Sequence, residues 1–229
     1  MSKGPTPSEV ASVYLQHGPY GRGHDVHGHG YPEARGHGAG GPAPKRVIVG
    51  YGFWLFLLSD IVMFSGFFAA YAVLVHQTAG GPTGRELFDL KRVALETALL
   101  LASSFTCGLG YVAATMRQQL QTQFWMLVTG LLGLAFVILE VVEFYEMIQH
   151  GAGPTRSAFL SAFFALVGCH GLHVTVGGLW LGTMMAQIWV KGFRPVIMRR
   201  LLCFNLFWHA LDIIWVALFT IVYLLGAGA

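Results

Sequence analysis

The sequence predicts an all-α integral membrane protein, a bundle of five transmembrane helices. Of its 229 residues, 55% are hydrophobic and only 11% are charged, and the mean hydropathy is +0.59. A soluble domain has about 25% charged residues, so this composition excludes an ordinary water-soluble fold. Five separate apolar runs each exceed the ~20 residues that a helix needs to cross a bilayer. The runs show no alternation of period two, which excludes the strands of a membrane barrel.

Residues 1–45 precede the first apolar run and are rich in glycine, proline and histidine. Such a segment buries too little apolar surface to offset the entropy cost of folding, so we predict a disordered cytoplasmic tail. Histidine-rich tracts bind transition metals in some proteins, but irregular spacing among glycines sets no fixed coordination geometry here. Residues 46–229 form the predicted transmembrane domain. The tail histidines are His17, His24, His27, His29 and His37.

The five predicted spans follow one another with short connections. Their approximate bounds are 47–75, 93–115, 124–148, 157–190 and 201–225. The fourth is longer than the ~20 residues that a bilayer requires, which predicts a tilted helix or one that protrudes into water. Gly178 and Gly182 lie four residues apart in this span, and that spacing of small residues predicts a close helix–helix contact.

The basic residues predict the orientation of the bundle. Ten of the 14 lysines and arginines lie on the N-terminal side of the membrane. Because cytoplasmic loops carry the excess of Lys and Arg, we predict a cytoplasmic N-terminus and a periplasmic C-terminus. The basic residues are spread among the tail and the loops, so they form no patch for nucleic acid. Those on the opposite side are Arg85, Lys91, Arg92 and Arg156.

Ionisable side chains inside the spans are the candidate functional residues. Each costs about 3 kcal/mol or more at mid-membrane unless it is paired or lines a polar cavity. His209 and Asp212 are three residues apart in the fifth span and so share a helical face; His170 and His173 repeat that spacing in the fourth. Together with Asp60 in the first span, they predict one buried polar cluster in which the carboxylates accept hydrogen bonds from the imidazoles.

Three interpretations of these histidines remain open. Paired imidazoles ligate haem iron in b-type cytochromes, although the tight spacing and the surrounding aromatic and leucine side chains disfavour that here. Clustered histidines also bind zinc or copper, but no third and fourth ligand follows at a suitable spacing. The third interpretation is structural, with the imidazoles hydrogen-bonded between helices, and it predicts that Asp212→Asn destabilises the bundle.

A second group of intramembrane carboxylates, Glu96, Glu140 and Glu143, lies towards the predicted outer side. Glu140 and Glu143 share a broad face of the third span and should be protonated or bonded to another helix. Glu146 lies near the end of that span, where water reaches it. A proton wire would need such groups across the whole membrane, and none continue to the cytoplasmic side. The lack of internal repeats also disfavours a free-standing transporter or channel.

Several motifs, in chain order, resemble those of subunit III of the haem–copper oxidases. Residues 208–215 read WHALDIIW, similar to the Trp-His-Phe-x-Asp-Val-Val-Trp signature of that family. Residues 170–174 read HGLHV, a motif of the same family, and residues 143–146 read EFYE, which resembles its Glu-Tyr-Tyr-Glu segment. Within the family, the five spans and the His-rich tail resemble most the subunit 3 of cytochrome bo-type ubiquinol oxidases. The resemblance runs from the first span to the C-terminus.

The resemblance implies a non-catalytic accessory subunit of a proton-translocating oxidoreductase complex. In these oxidases subunit I carries the haems and copper, reduces O₂ to water and pumps protons, so no catalytic residue, cofactor or metal site is expected in this chain. The implied partners are subunit I, other oxidase subunits and bound phospholipid, in a bacterial inner membrane. The implied role is to support assembly, lipid binding and sustained proton uptake. Asp60 stands where many relatives have a carbodiimide-reactive glutamate.

Other functions remain as alternatives to a quinol oxidase subunit. The first is subunit III of a cytochrome c oxidase, which the same motifs fit. A free-standing transporter and a bis-histidine cytochrome are the others, and both are less favoured for the reasons given above.

Overall fold

A computed structural model describes residues 45–80 and 89–224. In these ranges the chain is helical, without strands, and each of its five long helices is long and apolar enough to cross a membrane. This confirms the predicted fold class. The predicted tail lies outside the described residues except for its last residue, and the orientation of the termini stays a prediction. The helices are α1 Lys45–Leu74, α2 Leu90–Thr115, α3 Gln119–Gln149, α4 Ala158–Lys191 and α5 Pro195–Leu218, and α5 continues as a π-helical segment, Phe219–Leu224.

Local sequence sets where the helices begin and end. Helix α5 begins at Pro195, earlier than predicted, because proline suits the first helical position, where no N–H partner is needed. Ser157 caps α4 by accepting a hydrogen bond of 3.2 Å from the Leu160 N–H. Helix α4 ends at Gly192, whose φ of 65° lies in the left-handed region that glycine adopts at little cost.

Helices α4 and α5 lie at the centre of the bundle. Helix α5 packs against α1, α2 and α4, and α4 packs against α1, α3 and α5. Helices α2 and α3 form an extensive antiparallel pair on one side, and α1 packs on the other. Fully buried aromatic side chains such as Phe163 of α4 and Trp215 of α5 fill the space between these layers. The core therefore lies where the two central helices face the other three.

Helix α1 is much less buried than the other helices. In its most apolar 18-residue stretch only 11% of the residues are buried, against 50% for the span Pro195–Leu224. One stripe of side chains at heptad spacing, Leu57, Phe64 and Tyr71, is buried against the bundle. Its other apolar side chains, such as Val73, point away, as expected for a helix that faces lipid or another protein chain.

Close helix packing depends on glycines other than the predicted pair. A Cβ atom at Gly178 or Gly182 would meet nothing within 4 Å in the described chain, so neither glycine makes a close contact with another helix of this chain. Gly178 instead borders a cavity that Leu134 of α3 and Trp208 of α5 also line. At Gly133 of α3 and Gly177 of α4, a Cβ atom would approach the Trp208 ring to 2.9 Å and 3.0 Å. The ring of Trp208 fills the space that these two glycines leave.

Candidate functional site

Hydrogen bonds between side chains join α2 to α5 along much of their length, and we call this row the α2–α5 seam. From the first bonded pair to the last, the residue numbers rise along α2 and fall along α5, as expected for an antiparallel pair. The donors and acceptors are mostly neutral groups. The bonds are Trp215 Nε1 to Thr97 Oγ1 (3.0 Å), Trp208 Nε1 to Ser103 Oγ (2.8 Å), Ser104 Oγ with His209 Nδ1 (2.7 Å) and Cys107 Sγ to Asn205 Oδ1 (3.7 Å).

His209 and Asp212 both lie beside Ser104 in this seam. The Ser104 hydroxyl shares its hydrogen bond with His209 and also interacts with the Asp212 carboxyl group. Asp212 Oδ1 is buried without a hydrogen-bond partner among the described residues. The partner of His209 is therefore a serine of α2. Sequence patterns do not single out this residue, because serine is common in membrane helices and carries no charge.

His170 is completely buried, and neither of its ring nitrogens has a hydrogen-bond partner in the described part of the chain. Aromatic rings surround it instead. The ring centroids of Trp215, Phe136 and Phe64 lie 5.1, 5.9 and 6.3 Å from that of His170. Such packing stabilises a neutral imidazole through the quadrupoles of its neighbours.

His173 and Asp60 lie between α1 and α4. His173 Nδ1 donates to the carbonyl oxygen of Cys169, one turn earlier in its own helix, at 2.7 Å. The Phe64 ring packs on His173 at 5.4 Å between centroids, and Asp60, one turn before Phe64, interacts electrostatically with Cys169. No hydrogen bond joins any two of the residues predicted to form one cluster. The structure places them in two interfaces, and their role as packing anchors stays a prediction.

Glu96 of α2 and Glu140 and Glu143 of α3 come together as a buried group, which we call the carboxylate cluster. Their exposed fractions are 0%, 3% and 5%, and the three interact electrostatically. Both carboxyl oxygens of Glu96 and one of Glu140 are buried and lack a hydrogen-bond partner in the described chain. Because an uncompensated buried charge is very costly, the cluster needs protons, water or external polar groups to be stable.

An ion pair lies at the end of the carboxylate cluster where α2 begins and α3 ends. Arg92 donates to both carboxylate oxygens of Glu146, at 2.6 and 3.2 Å. Arg92 also interacts electrostatically with Glu143 and Glu96, and Tyr223 of the π-helical segment interacts with Glu143. Sequence reasoning left Glu146 to the solvent and Arg92 to a loop. It missed the pair because the two residues lie on different helices.

The carboxyl group of Glu140 packs directly on the backbone of α4. A Cβ atom at Gly171 would overlap both carboxylate oxygens of Glu140. Gly171 stands next to His170 in the HGLHV motif, so the glycine of that motif is where α3 and α4 approach most closely around the cluster. The requirement for glycine here is steric.

Within residues 45–80 and 89–224, no group of three or more His, Cys, Asp or Glu side chains is arranged to hold a metal ion. Cys107, Cys169 and Cys203 are free thiols. The described side chains therefore provide mostly neutral hydrogen bonds between α2 and α5, and protonatable carboxyl groups between α2 and α3.

Comparison with known proteins gives a consistent result. A family profile described as cytochrome c oxidase subunit III matches residues 33–227, a range that includes all five helices. The cytochrome bo(3) ubiquinol oxidase subunit 3 of Pseudomonas aeruginosa is 49% identical over 203 residues, covering 89% of this chain and 94% of that protein. The subunit of the same name from Pseudomonas putida is 48% identical over 175 residues, 76% and 84% of the two chains. The quinol oxidase subunit 3 of Bacillus subtilis is 42% identical over 177 residues, 77% and 87%.

Proposed function

The chain belongs to the cytochrome c oxidase subunit III family, and we propose that it is subunit 3 of a ubiquinol-oxidising, proton-pumping terminal oxidase. The observation that carries this proposal is the 49% identity to a cytochrome bo(3) ubiquinol oxidase subunit 3 over 94% of that protein's length. A quinol oxidase subunit 3 from the more distant Bacillus subtilis supports the same assignment at 42% identity.

In such a complex the chain acts as an accessory subunit and leaves the chemistry to a partner that carries the haems and copper. The hydrogen bonds of its histidines support this role. His209 shares a bond with Ser104 of another helix, and His173 donates to the backbone of its own helix, so both imidazoles already take part in structural hydrogen bonds. The weakly buried α1 offers an apolar surface on which the partner subunit or phospholipid packs.

The proposed location is a bacterial inner membrane, with the N-terminus in the cytoplasm. The distribution of basic residues supports this orientation, since ten of the 14 lysines and arginines fall on the N-terminal side. A partner that pumps protons must also lie in a closed membrane, because the pumped protons must not leak back. A cysteine-labelling reagent that cannot cross the membrane should reach an engineered cysteine in the C-terminal segment, and not one near residue 45, in intact spheroplasts.

The test of the function is co-purification followed by an activity assay. Pull-down through an affinity tag on this chain should bring down a haem-containing partner, and the purified complex should consume O₂ when supplied with ubiquinol. The chain expressed alone should show no Soret absorbance. Strong Soret absorbance of the isolated chain would contradict the accessory role, because it would place haem in this subunit.

The second candidate is subunit III of an oxidase that accepts electrons from cytochrome c, and the family description favours it. The same purified complex separates the two candidates. If O₂ uptake is fast with reduced cytochrome c and absent with ubiquinol, the second candidate replaces the first.

A further inference from the structure

Two members of the carboxylate cluster lie within two helical turns of one end of the bundle. Glu96 comes six residues after Leu90, where α2 begins, and Glu143 comes six residues before Gln149, where α3 ends. At 1.5 Å per residue, each lies about 9 Å from its helix end. We propose that the cluster is a proton-binding site in which Glu143 exchanges its proton with water at this end, and in which the charge of Arg92 favours release of that proton. The proposed accessory function assigns no role to these carboxyl groups.

Several oxygens of the cluster lack partners within the described chain. Both carboxyl oxygens of Glu96, Oε1 of Glu140 and Oε2 of Glu143 are buried without a hydrogen bond there. A bound proton removes the charge of a carboxyl group and turns one of its oxygens into a donor, and an oxygen of a neighbouring carboxyl group or of a water molecule can accept from it. In the described ranges these groups are not arranged to hold a metal ion. Protons are therefore the ligand that fits the cluster.

Arg92 is the cation that interacts with the cluster in the described part of the chain. It interacts electrostatically with Glu96 and Glu143, while its guanidinium donates to both carboxylate oxygens of Glu146, at 2.6 and 3.2 Å. One positive charge that is already paired cannot offset three buried negative charges, and a buried charge without a partner is much less stable than its neutral form. The cluster therefore holds protons on most of its carboxyl groups.

The position of Glu143 makes it the group that exchanges its proton most readily. It lies three residues from Glu146 on the same face of α3, so it is the cluster member of that helix nearest to the ion pair. Glu140 lies about one turn deeper, where its carboxyl group packs on Gly171 of α4. Because a nearby positive charge favours the ionised form of a carboxyl group, Glu143 releases its proton before Glu140 does. The proton passes to water, and the carboxylate that remains accepts hydrogen bonds from Arg92.

Each neighbouring element contributes other titratable groups around the cluster. Tyr223 of the π-helical segment interacts with all three carboxyl groups, and Tyr71 of α1 interacts with Tyr223 and donates to the Val222 carbonyl oxygen at 3.2 Å. Phenol groups keep their protons at neutral pH, whereas an imidazole changes charge near it, and His150 interacts with Glu146. By element, the titratable and charged groups are Tyr71 (α1), Asp89, Arg92 and Glu96 (α2 and its cap), Glu140, Glu143, Glu146 and His150 (α3 and its cap), His170 beside Gly171 (α4) and Tyr223.

Release of the proton places a negative charge where several helices meet. Glu143 belongs to α3, its neighbours Glu96 and Tyr223 belong to α2 and to the continuation of α5, and Glu140 packs on α4. The packing at this end of the bundle therefore depends on the pH of the water that reaches it.

The experiment is an infrared pH titration of the intact oxidase complex. The carbonyl band of protonated carboxyl groups is followed between about pH 5 and pH 10, in H₂O and in D₂O. The unmodified complex should contain a component that disappears as the pH rises and that shifts in D₂O, and Glu143→Gln should remove this component. Glu146→Gln is the matched control on the same helix face. Its complex should retain the component, because the Glu146 side chain is half-exposed and ion-paired.

The effect of the Arg92 charge is measured in the same titration. Arg92→Gln should move the midpoint of the component upward by about one pH unit, because the proton is harder to release without the positive charge. Arg92→Lys, which keeps the charge, should largely restore the midpoint of the unmodified complex. Arg156→Gln and His150→Gln are controls at the same end of the bundle, and neither should move the midpoint.

Three results would overturn the proposal. The first is a Glu143→Gln complex that retains the whole pH-dependent component. The second is a component that does not shift in D₂O, which would mean that water does not reach the group. The third is the same midpoint in the Arg92→Gln complex and the unmodified complex. If the Glu143→Gln complex does not assemble, the comparison of Arg92→Gln with Arg92→Lys decides alone, since equal midpoints in these two variants would contradict the proposal.

Proton exchange and oxidase activity are measured separately. A complex that shows the titrating component but does not oxidise ubiquinol would contradict the proposed function and leave the proton-binding site standing. A complex that oxidises ubiquinol without that component would contradict the proton-binding site and leave the proposed function standing.

Discussion

The α2–α5 seam and the carboxylate cluster both contain buried polar side chains of α2, but they differ in whether those side chains have hydrogen-bond partners. In the seam, each polar side chain of α2 has a partner on α5, such as Ser103 with Trp208 at 2.8 Å. In the cluster, both oxygens of Glu96 lack a hydrogen-bond partner within the described chain. The seam is built from neutral donors and acceptors, whereas the cluster is built from carboxyl groups.

This difference teaches that α2 is joined to α5 mainly by neutral side chains, among which His209 and Asp212 are the ionisable members. Neutral hydrogen bonds between membrane helices add a modest stability, about 0.6 kcal/mol on average, without any cost of burying charge. Unpaired carboxyl groups add no such bond and instead respond to protons, water and neighbouring charge. We therefore expect variants of the seam to change stability and variants of the cluster to change protonation.

The largest effect is expected where the cluster packs on α4. Gly171→Ala forces a Cβ atom into both carboxylate oxygens of Glu140, and such overpacking costs about 1–3 kcal/mol. The measurement is the thermal unfolding temperature of the purified complex. Gly178→Ala is the control in the same helix, because a Cβ atom there meets nothing within 4 Å. Equal losses in the two variants would show that helix α4 is sensitive to any added methyl group.

The next effect tests the seam itself. Trp208→Phe removes the N–H that donates to Ser103 Oγ, and it also removes part of the ring that fills the gaps at Gly133 and Gly177. The lost hydrogen bond should contribute about 1 kcal/mol to the destabilisation, and the smaller ring adds to it. A double-mutant cycle with Ser103→Ala should show positive coupling, since the second change removes the stranded hydroxyl. If the two losses add without coupling, the hydrogen bond contributes nothing to stability.

A smaller change in stability is expected in the cluster. Glu140→Gln replaces a buried carboxyl group by a neutral group of the same shape, so it should cost less than Trp208→Phe if Glu140 is protonated. Infrared difference spectroscopy should then lose intensity in the band of protonated carboxyl groups. Glu146→Gln is the control, because that half-exposed, arginine-paired group should contribute to the carboxylate bands instead. A strong destabilisation by Glu140→Gln would mean that the bundle needs a charge at this position.

The smallest effect is expected at the ion pair between Arg92 and Glu146. The side chains of Arg92 and Glu146 are 29% and 50% exposed, so water and salt screen their attraction. Arg92→Gln should lower the unfolding temperature slightly at low salt and not measurably at high salt. Arg156→Gln provides the comparison on the same side of the bundle, at an exposed arginine outside the ion pair. A large, salt-independent loss would mean that Arg92 stabilises the cluster beneath it and not only Glu146.

The number and approximate bounds of the helices could be predicted because apolar length alone decides which segments cross a membrane. The neighbours of Asp60, His209 and Asp212 on other helices could not be predicted. Helical rise gives the depth of a residue but not the helix that its side chain meets. Ser104 and Gly171 escaped prediction for a related reason. Their importance arises from the residues of other helices beside them, Asp212 and Glu140, and no spacing along one helix encodes that contact.

The position of Trp208 has a consequence for how the bundle comes apart. Its indole donates to Ser103 of α2, and its ring fills the gaps left by Gly133 of α3 and Gly177 of α4. One side chain of α5 thus touches three other helices and sets the spacing among them. Pulling α5 out of the membrane would break all three contacts in a single event, so four of the five helices behave mechanically as one cooperative unit, with α1 the part most easily detached.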